Sequence, residues 1–436
     1  MSESVAVQDL RVGMFIHLDL SWMSHPFPVS SFVLESQHDI ERVRSLGLQQ
    51  LRWSRDKSML ASHDQDTPDA HATQVAELAP AATADNTPPE SALASQRTQS
   101  AAQSTAQRAA QRAAMRLCEQ QHTEASQALR GIVMGALQRP EHAGVQAQSL
   151  ARAMTGKMLG EHDLSVLVLQ GHSANMPTAH GLNVSVIALL LARVMRLDEA
   201  EMFDVGVGAL LHDIGKLELP SAVHHADERL TSAQMSAYRD HVRLGVLLGR
   251  RMGLSLGALQ VIAQHHESAD GTGYPARLNL ERMSLPGRIV ALANRFDELC
   301  NPQQVAHALT PHEALSKLFA GGQGRADATL LNSFIRMMGV YPAGSVVQLT
   351  DDRYAVVTHV NSSRPLKPRV LVHEPGVTRE DALIVNLMDQ SDLGIRRSLV
   401  LAQLPATARD CLQPSPRVAY YFEPLHPPLT PACAWM

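Results

Sequence analysis

A mainly helical protein, with a small α+β domain at its N-terminal end and a short β-rich extension at its C-terminal end, is predicted by three observations. Hydrophobic residues make up 45% of the 436-residue chain but aromatic residues only 4%, so its interior must be aliphatic, a pattern that favours packed helices. Apolar residues recur at helical spacing through much of residues 105–340. Strand-like stretches are confined to the first 56 residues and to those after Gly339. The length exceeds one ordinary core, which makes two or three domains the expectation.

Residues 1–56 predict strands at Ser4 to Val7 and Met14 to Leu18 and a helix from Asp39 to Leu48. From 57 to 104 the chain is rich in Ala, Ser, Thr, Gln and Pro. Such a stretch buries too little apolar surface to offset its ordering entropy and reads as a flexible linker. The helical domain then opens with Met115, Cys118, Ala125, Leu129, Val133 and Leu137 on one stripe, Gly131 and Gly135 weakening its later turns. Further helices run from about Ala179 to Met195 and from Ala200 to Leu211. Thr231 to Gln234 fits a capping box opening a helix that ends near Gly253, Ser255 caps another ending at His265 and His266, and Pro286 opens the next. The strands of the extension, 341–436, are read at Ser345 to Leu349, Tyr354 to Val360 and Arg369 to His373, with an irregular proline-rich tail after Leu412.

Composition removes several function classes. A net charge of −5 offers no basic surplus for neutralising many phosphates, so bulk nucleic-acid binding is not expected. The four cysteines, Cys118, Cys300, Cys411 and Cys433, lie far apart with no CxxC spacing, which argues against a disulfide framework or a thiolate zinc site and suits a reducing cytoplasm. The opening residues lack the basic and apolar regions of a secretory signal, and the longest apolar stretch, Val184 to Met195, is too short for a membrane span.

Histidine is the unusual count, at 21 residues. His212 and Asp213 are adjacent at a predicted helix end, while His180, His241, His265 and His266 fall on neighbouring helices. Any one of them alone is more often an ordinary hydrogen-bonded residue. Five in ordered succession with Asp213 instead suggest one pocket for two divalent transition metals, because nitrogen ligands favour iron, manganese, zinc or nickel over calcium or magnesium. His224 and His225 read as a solvated loop pair.

The run Leu211-His212-Asp213-Ile214-Gly215-Lys216, then His241, then His265-His266-Glu267 followed by Asp270-Gly271-Thr272-Gly273-Tyr274-Pro275, resembles the HD-GYP family of cyclic di-GMP phosphodiesterases. The likeness covers about His180 to Val340, and residues 1–56 resemble the domain of unknown function that often precedes this catalytic domain. It implies that His180, His212, Asp213, His241, His265 and His266 are metal ligands, with Asp213 bridging two ions, iron or manganese before zinc or nickel. It implies that Lys216 contacts the scissile phosphate and that Asp270, Gly271, Gly273, Tyr274 and Pro275 border the substrate. Hydrolysis in line at phosphorus would yield linear pGpG and further GMP. The loop would also meet diguanylate cyclase domains, and oligomeric state stays open, a homodimer included.

The sequence departs from that pattern at three places. Asn294 stands 28 residues after His266, where the family usually carries a carboxylate ligand, and a neutral amide binds metal less well. Nearby Asp297 matches a separate aspartate. Met176 occupies the position at which some members use a glutamate for a third metal, so two ions are the expected ceiling. Cys300-Asn301-Pro302-Gln303 replaces an Arg-Pro-Tyr motif that grips ligand phosphate. The second reading is therefore a degenerate member that binds cyclic di-GMP or a partner without turnover.

Overall fold

The computed structural model describes residues 2–20, 31–58, 90–159, 164–169, 176–220, 223, 230–321, 324–360, 364–379, 382, 384–414 and 417–424. The chain divides into two compact units, one of Met1–Leu20 with Val29–Leu117 and one that takes in Cys118–Met436.

In the first unit, β1 (Ser2–Ala6), β2 (Phe15–His17), β3 (Ser31–Val33) and β4 (Gln50–Ser54) form an antiparallel sheet in the order β1-β4-β2-β3. Helix α1 (Gln37–Arg44) is started by a capping box between Ser36 and Asp39 and buries Ile40 and Val43. The small α+β domain read from the sequence is thus present. The expected linker differs. Residues 59–89 lie outside the described residues, but from Glu90 the chain is helical, in α2 (Glu90–Gly135). Its alanines and glutamines are strong helix formers even where few large apolar residues are available to pack.

The second unit follows with α3 (Pro140–Met158), β5 (Leu164–Leu169), α4 (Met176–Val194), α5 (Glu199–Leu211), α6 (Ser232–Arg239), α7 (His241–Arg251), α8 (Leu256–Gln264), α9 (Leu285–Cys300), α10 (Pro311–Gly321) and α11 (Ala328–Met338). Helix α4 is apolar nearly all round, from Val184 to Ala192, and is buried between α5 and α9. Phe296 on α9 is fully buried and meets Phe334 of α11 edge to face at 5.3 Å. The single helix expected from Thr231 to Gly253 is broken at Asp240, between α6 and α7, and the break places His241 at a helix start.

Strands β6 (Val346–Leu349), β7 (Tyr354–Val360), β8 (Arg369–Val372), β9 (Ile384–Asn386) and β10 (Ile395–Leu399) come next, then α12 (Ala406–Leu412) and β11 (Ala419–Pro424). Two findings correct the expected extension. The tail after Leu412 is not irregular throughout, because Tyr420, Tyr421 and Phe422 are buried in β11. And β5, which arises inside the helical region, pairs antiparallel with both β11 and β7, so the C-terminal strands share one sheet with it. Asn183 of α4 then ties helix to sheet by accepting from Tyr420 N at 2.8 Å.

Candidate functional site

Three of the expected residues sit at helix ends for one physical reason. The last carbonyls of a helix have no amide partner within it. At the end of α5 the Ala209 carbonyl accepts from His212 Nδ1, at the end of α6 the Tyr238 carbonyl accepts from His241 Nδ1, and at the end of α8 the Ile262 carbonyl accepts from His265 Nδ1, each at 2.7 Å. A carbonyl only accepts, so each Nδ1 carries the proton and each neutral ring turns a bare Nε2 inward. His180, in the first turns of α4, is oriented by a side chain instead, its Nδ1 lying 2.7 Å from Asp297 Oδ2. Asp297 is fully buried and also accepts from Asn183 and Asn301, both at 2.8 Å.

The inward nitrogens converge. Nε2 of His180 and His212 are 3.0 Å apart, and Nε2 of His241 and His265 are 3.2 Å apart. Asp213 stands between the pairs. Its Oδ2 is 3.7 Å from His180 Nε2 and 3.5 Å from His212 Nε2, while its Oδ1 is 3.5 Å from His241 Nε2 and 3.8 Å from His265 Nε2. His266 completes the second group. Its Nε2, like Asp213 Oδ1, is buried without a hydrogen-bond partner. Lone pairs facing one another at hydrogen-bond distance, with orphaned acceptors beside them, are the arrangement that a cation resolves. The donor set therefore fits two metal centres sharing Asp213: one with His180 and His212, one with His241, His265 and His266.

The electrostatics suit ligation. Burial pushes His212 down to about 4 and holds His241, His265 and His266 below the usual imidazole range, so these rings are neutral at pH 7. For His180 burial also opposes charge, but the hydrogen bond and charge of Asp297, with Asp213 behind them, outweigh it and raise the ring. Burial likewise disfavours an ionised Asp213, yet Lys216 and the surrounding imidazoles hold its carboxyl well below the usual range. Lys216 Nζ donates to Asp213 Oδ2 at 2.6 Å and lies 5.4 Å over the Tyr238 ring. Gly215, just before it, permits this approach, since a Cβ there would fall 2.0 Å from the His241 carbonyl oxygen.

The loop after His266 is built onto the cluster. Glu267 accepts from Ala276 N at 2.6 Å and Leu278 N at 2.8 Å, and Gly273 passes so close that a Cβ would meet Glu267 Cα at 2.5 Å. Tyr274 stacks on His266 at 4.7 Å and carries the Arg239 guanidinium 4.9 Å over its ring. Gly271, Gly273, Tyr274 and Pro275 line a cleft of about 700 Å³ together with Arg239, Arg243 and Arg277. Asp270 shapes the loop from within. It accepts from Thr272 N at 2.9 Å and from Thr272 Oγ1 at 2.6 Å, organising the turn beside the cleft.

Asn294 lies on α9. It is buried, donates from Nδ2 to Glu298 Oε1 at 3.3 Å and leaves Oδ1 without a partner. Asp297 does not take its place; it orients His180. His224, His225 and the Met176 side chain lie outside the described residues. Sequence reasoning missed the roles of Tyr238, Arg239, Glu267 and Asp297. Only Glu267 carried a local signal, its place directly after the histidine pair.

Residues 2–143 match the family described as a domain of unknown function, DUF3391, and residues 161–330 match the HD domain family. The first match runs well past the 56 residues that the sequence marks off at the N-terminal end. The chain is 27% identical over 376 residues, 85% of each chain, to cyclic di-GMP phosphodiesterase PA4108 of Pseudomonas aeruginosa. It is 33% identical over 156 residues, 35% of this chain and 41% of the relative, to the cyclic di-GMP phosphodiesterase response regulator RpfG of Xanthomonas campestris pv. campestris. Among solved structures, Bd1817, described as a HDG"Y"P protein from Bdellovibrio bacteriovorus, aligns over 77% of this chain and 98% of its own at 15% identity, with a TM-score of 0.39. Residues 161–330 thus match the HD domain family behind a segment that matches DUF3391, and the chain is similar across both to a cyclic di-GMP phosphodiesterase of Pseudomonas aeruginosa.

Proposed function

We propose that the protein hydrolyses cyclic di-GMP at a phosphodiester bond, giving linear pGpG and then GMP, in a site that holds two divalent transition ions. The observation that carries this reading is Asp213, whose two oxygens each face a separate histidine group. Relatives named as cyclic di-GMP phosphodiesterases support the substrate. Iron or manganese suits a set of imidazoles with one carboxylate better than calcium or magnesium, with zinc or nickel as alternatives.

When bound, two divalent ions supply Lewis acidity and lower the pKa of water. The chain's own residues do the rest. His212, His241, His265 and His266 present neutral Nε2 atoms, Asp297 turns the His180 ring toward them, and Asp213 stays ionised between them. Lys216, held beside Asp213, places a fixed positive charge where charge develops on phosphoryl oxygens. The backbone of Gly271 and Gly273 lets a ligand approach closely, Tyr274 offers a ring face, and Arg239 offers a cation beside it. The net charge of the whole chain is negative, so attraction of the dinucleotide falls to these local cations.

The same loop, Asp270 to Pro275, is the surface we assign to diguanylate cyclase domains, and a homodimer is compatible with it. A cytoplasmic location agrees with Cys118, Cys300 and Cys411 all being free thiols. Among the described residues no helix is long and apolar enough to cross a membrane. The test is incubation of manganese- or iron-loaded protein with cyclic di-GMP, followed by chromatography, beside a His212→Ala/Asp213→Ala control. Linear product that vanishes in the control supports the reading. No product from fully loaded protein moves the chain to the binding reading without turnover.

A further inference from the structure

The start of β11 lies well beyond residue 330, where the HD domain match ends, yet its backbone reaches the residue that orients His180. Two asparagines make the link. Asn183 Nδ2 on α4 donates to Asp297 Oδ1 at 2.8 Å and to the Val418 carbonyl at 2.9 Å, and Asn301 Nδ2, at the end of α9, donates to the same two oxygens at 2.8 and 2.9 Å. Their amide oxygens complete the set, Asn183 Oδ1 accepting from Tyr420 N at 2.8 Å and Asn301 Oδ1 from Val418 N at 2.9 Å. A primary amide has two donor hydrogens and one oxygen, so both side chains are fully used and neither can turn over without losing bonds.

The network has a rigid base. Strand β11 pairs with β5 from Ala419↔Leu169 to Pro424↔Leu164, Tyr420 is fully buried 5.9 Å from the Phe296 ring, and Asp297, the residue after Phe296, is fully buried too. The remaining oxygen of that carboxylate, Oδ2, lies 2.7 Å from His180 Nδ1. The His180 ring therefore takes its direction from a group whose other oxygen is fixed by the asparagines that grip the C-terminal sheet. Asn301 itself lies in the stretch 300–303, where the sequence departs from the family it resembles.

We propose that the start of β11 is part of the metal site: Val418 and Tyr420, acting through Asn301 and Asn183, are positioning residues that hold Asp297, and through it His180, in the direction a metal ion needs. This rests on the reading that His180 and His212 hold an ion. Removing an outer partner of a ligand costs about 10- to 100-fold in metal affinity. Asn301 stands one step further out and shares its task with Asn183, so the lower end of that range applies.

The experiment measures manganese affinity by competition with a chelating dye and stoichiometry by plasma mass spectrometry. Its samples are the full-length protein and its Asn301→Ala, Val418→Pro and Val356→Ala variants, with circular dichroism and denaturant unfolding to read fold and stability. Val418→Pro removes one N–H and touches no side chain of the site. Val356→Ala loosens the same sheet at a core cluster of Val346, Leu371 and Leu399. We expect one ion to be weakened about tenfold by Asn301→Ala and by Val418→Pro, while Val356→Ala stays within about twofold of the wild type despite its own loss of stability. A folded Asn301→Ala that binds manganese as tightly as the wild type overturns the proposal. Equal weakening in Val356→Ala overturns it too, because general loosening of the sheet would then be the cause. Weak binding by Asn301→Ala beside a folded Val418→Pro that binds like the wild type overturns the part of the strand. Wild-type protein that binds no manganese overturns the metal reading itself, a failure distinct from that of β11.

Discussion

Replacing Asp297 by asparagine removes one charge and one acceptor without changing shape, and the hydrogen bonds around it dictate how the site responds. Asn183 and Asn301 are pinned because their own Oδ1 atoms accept from Tyr420 N at 2.8 Å and Val418 N at 2.9 Å. Both must keep donating toward position 297, so the new amide turns its oxygen to them and its NH₂ to His180. His180 Nδ1 then has to accept, and the ring proton moves to Nε2, the atom that faces His212 and Asp213. A metal ion held by His180 and His212 would then lose a ligand's lone pair. Removing an outer carboxylate of this kind costs about 10- to 100-fold in metal affinity or activity, or about 1.4 to 2.7 kcal/mol. Loss of a charge-assisted hydrogen bond should also lower folding stability by about 1.5 to 3 kcal/mol. Metal affinity by dye competition and denaturant unfolding of the metal-free protein read the two effects separately. Asp297→Asn with metal affinity within about twofold of wild type would refute the tautomer argument.

Lys216→Ala should reduce turnover of cyclic di-GMP by about 100-fold while leaving metal content unchanged, since its charge acts on the phosphoryl group rather than on the ions; steady-state kinetics beside metal analysis checks it. Arg239→Ala should raise KM more than it lowers kcat, by about tenfold, and weaken the salt dependence of kcat/KM. Gly273→Ala should displace the loop, because the backbone of Glu267 has no room to give, and both KM and proteolytic nicking near Tyr274 would rise. Burial pushes the Cys118 thiol up to about 12 and Cys300 well above the ordinary range. A raised thiol pKa leaves less thiolate below it, for Cys118 about one part in 10⁴ at pH 8, so native Cys118 and Cys300 should label with a thiol reagent only on unfolding. Mass spectrometry of a labelling time course reads this directly.

Most of the histidine and aspartate cluster is legible in the sequence because its members are marked locally: His212 and Asp213 by adjacency at a helix end, His265 and His266 by pairing before a glycine loop, His241 by its place on an inward stripe. All six members converge in the structure. Asp297 cannot be read the same way. Its meaning depends on His180, 117 residues earlier in the chain, and on asparagines held by a strand at the far end of the sequence. The fold divides likewise. Helices with clear start signals, such as those opened by Ser255 and by Pro286, begin where those residues place them. Strand β5 escapes a reading of the sequence because Leu164–Leu169, five apolar residues and Ser165, have no helical or strand period that shows until β7 and β11 flank them. The alanine-rich start of α2 resembles a linker because it is poor in core residues, yet its helix propensity prevails.

The central claim is that one carboxylate, Asp213, joins two metal centres that together hydrolyse a cyclic dinucleotide. It is tested most directly by reacting cyclic di-GMP in ¹⁸O-labelled water with protein whose metal content is counted in the same sample. The account predicts linear pGpG carrying one ¹⁸O in its new terminal phosphate, formed in proportion to chains holding two ions and absent from Asp213→Ala. Intact cyclic di-GMP after prolonged incubation with chains that hold two ions would contradict it.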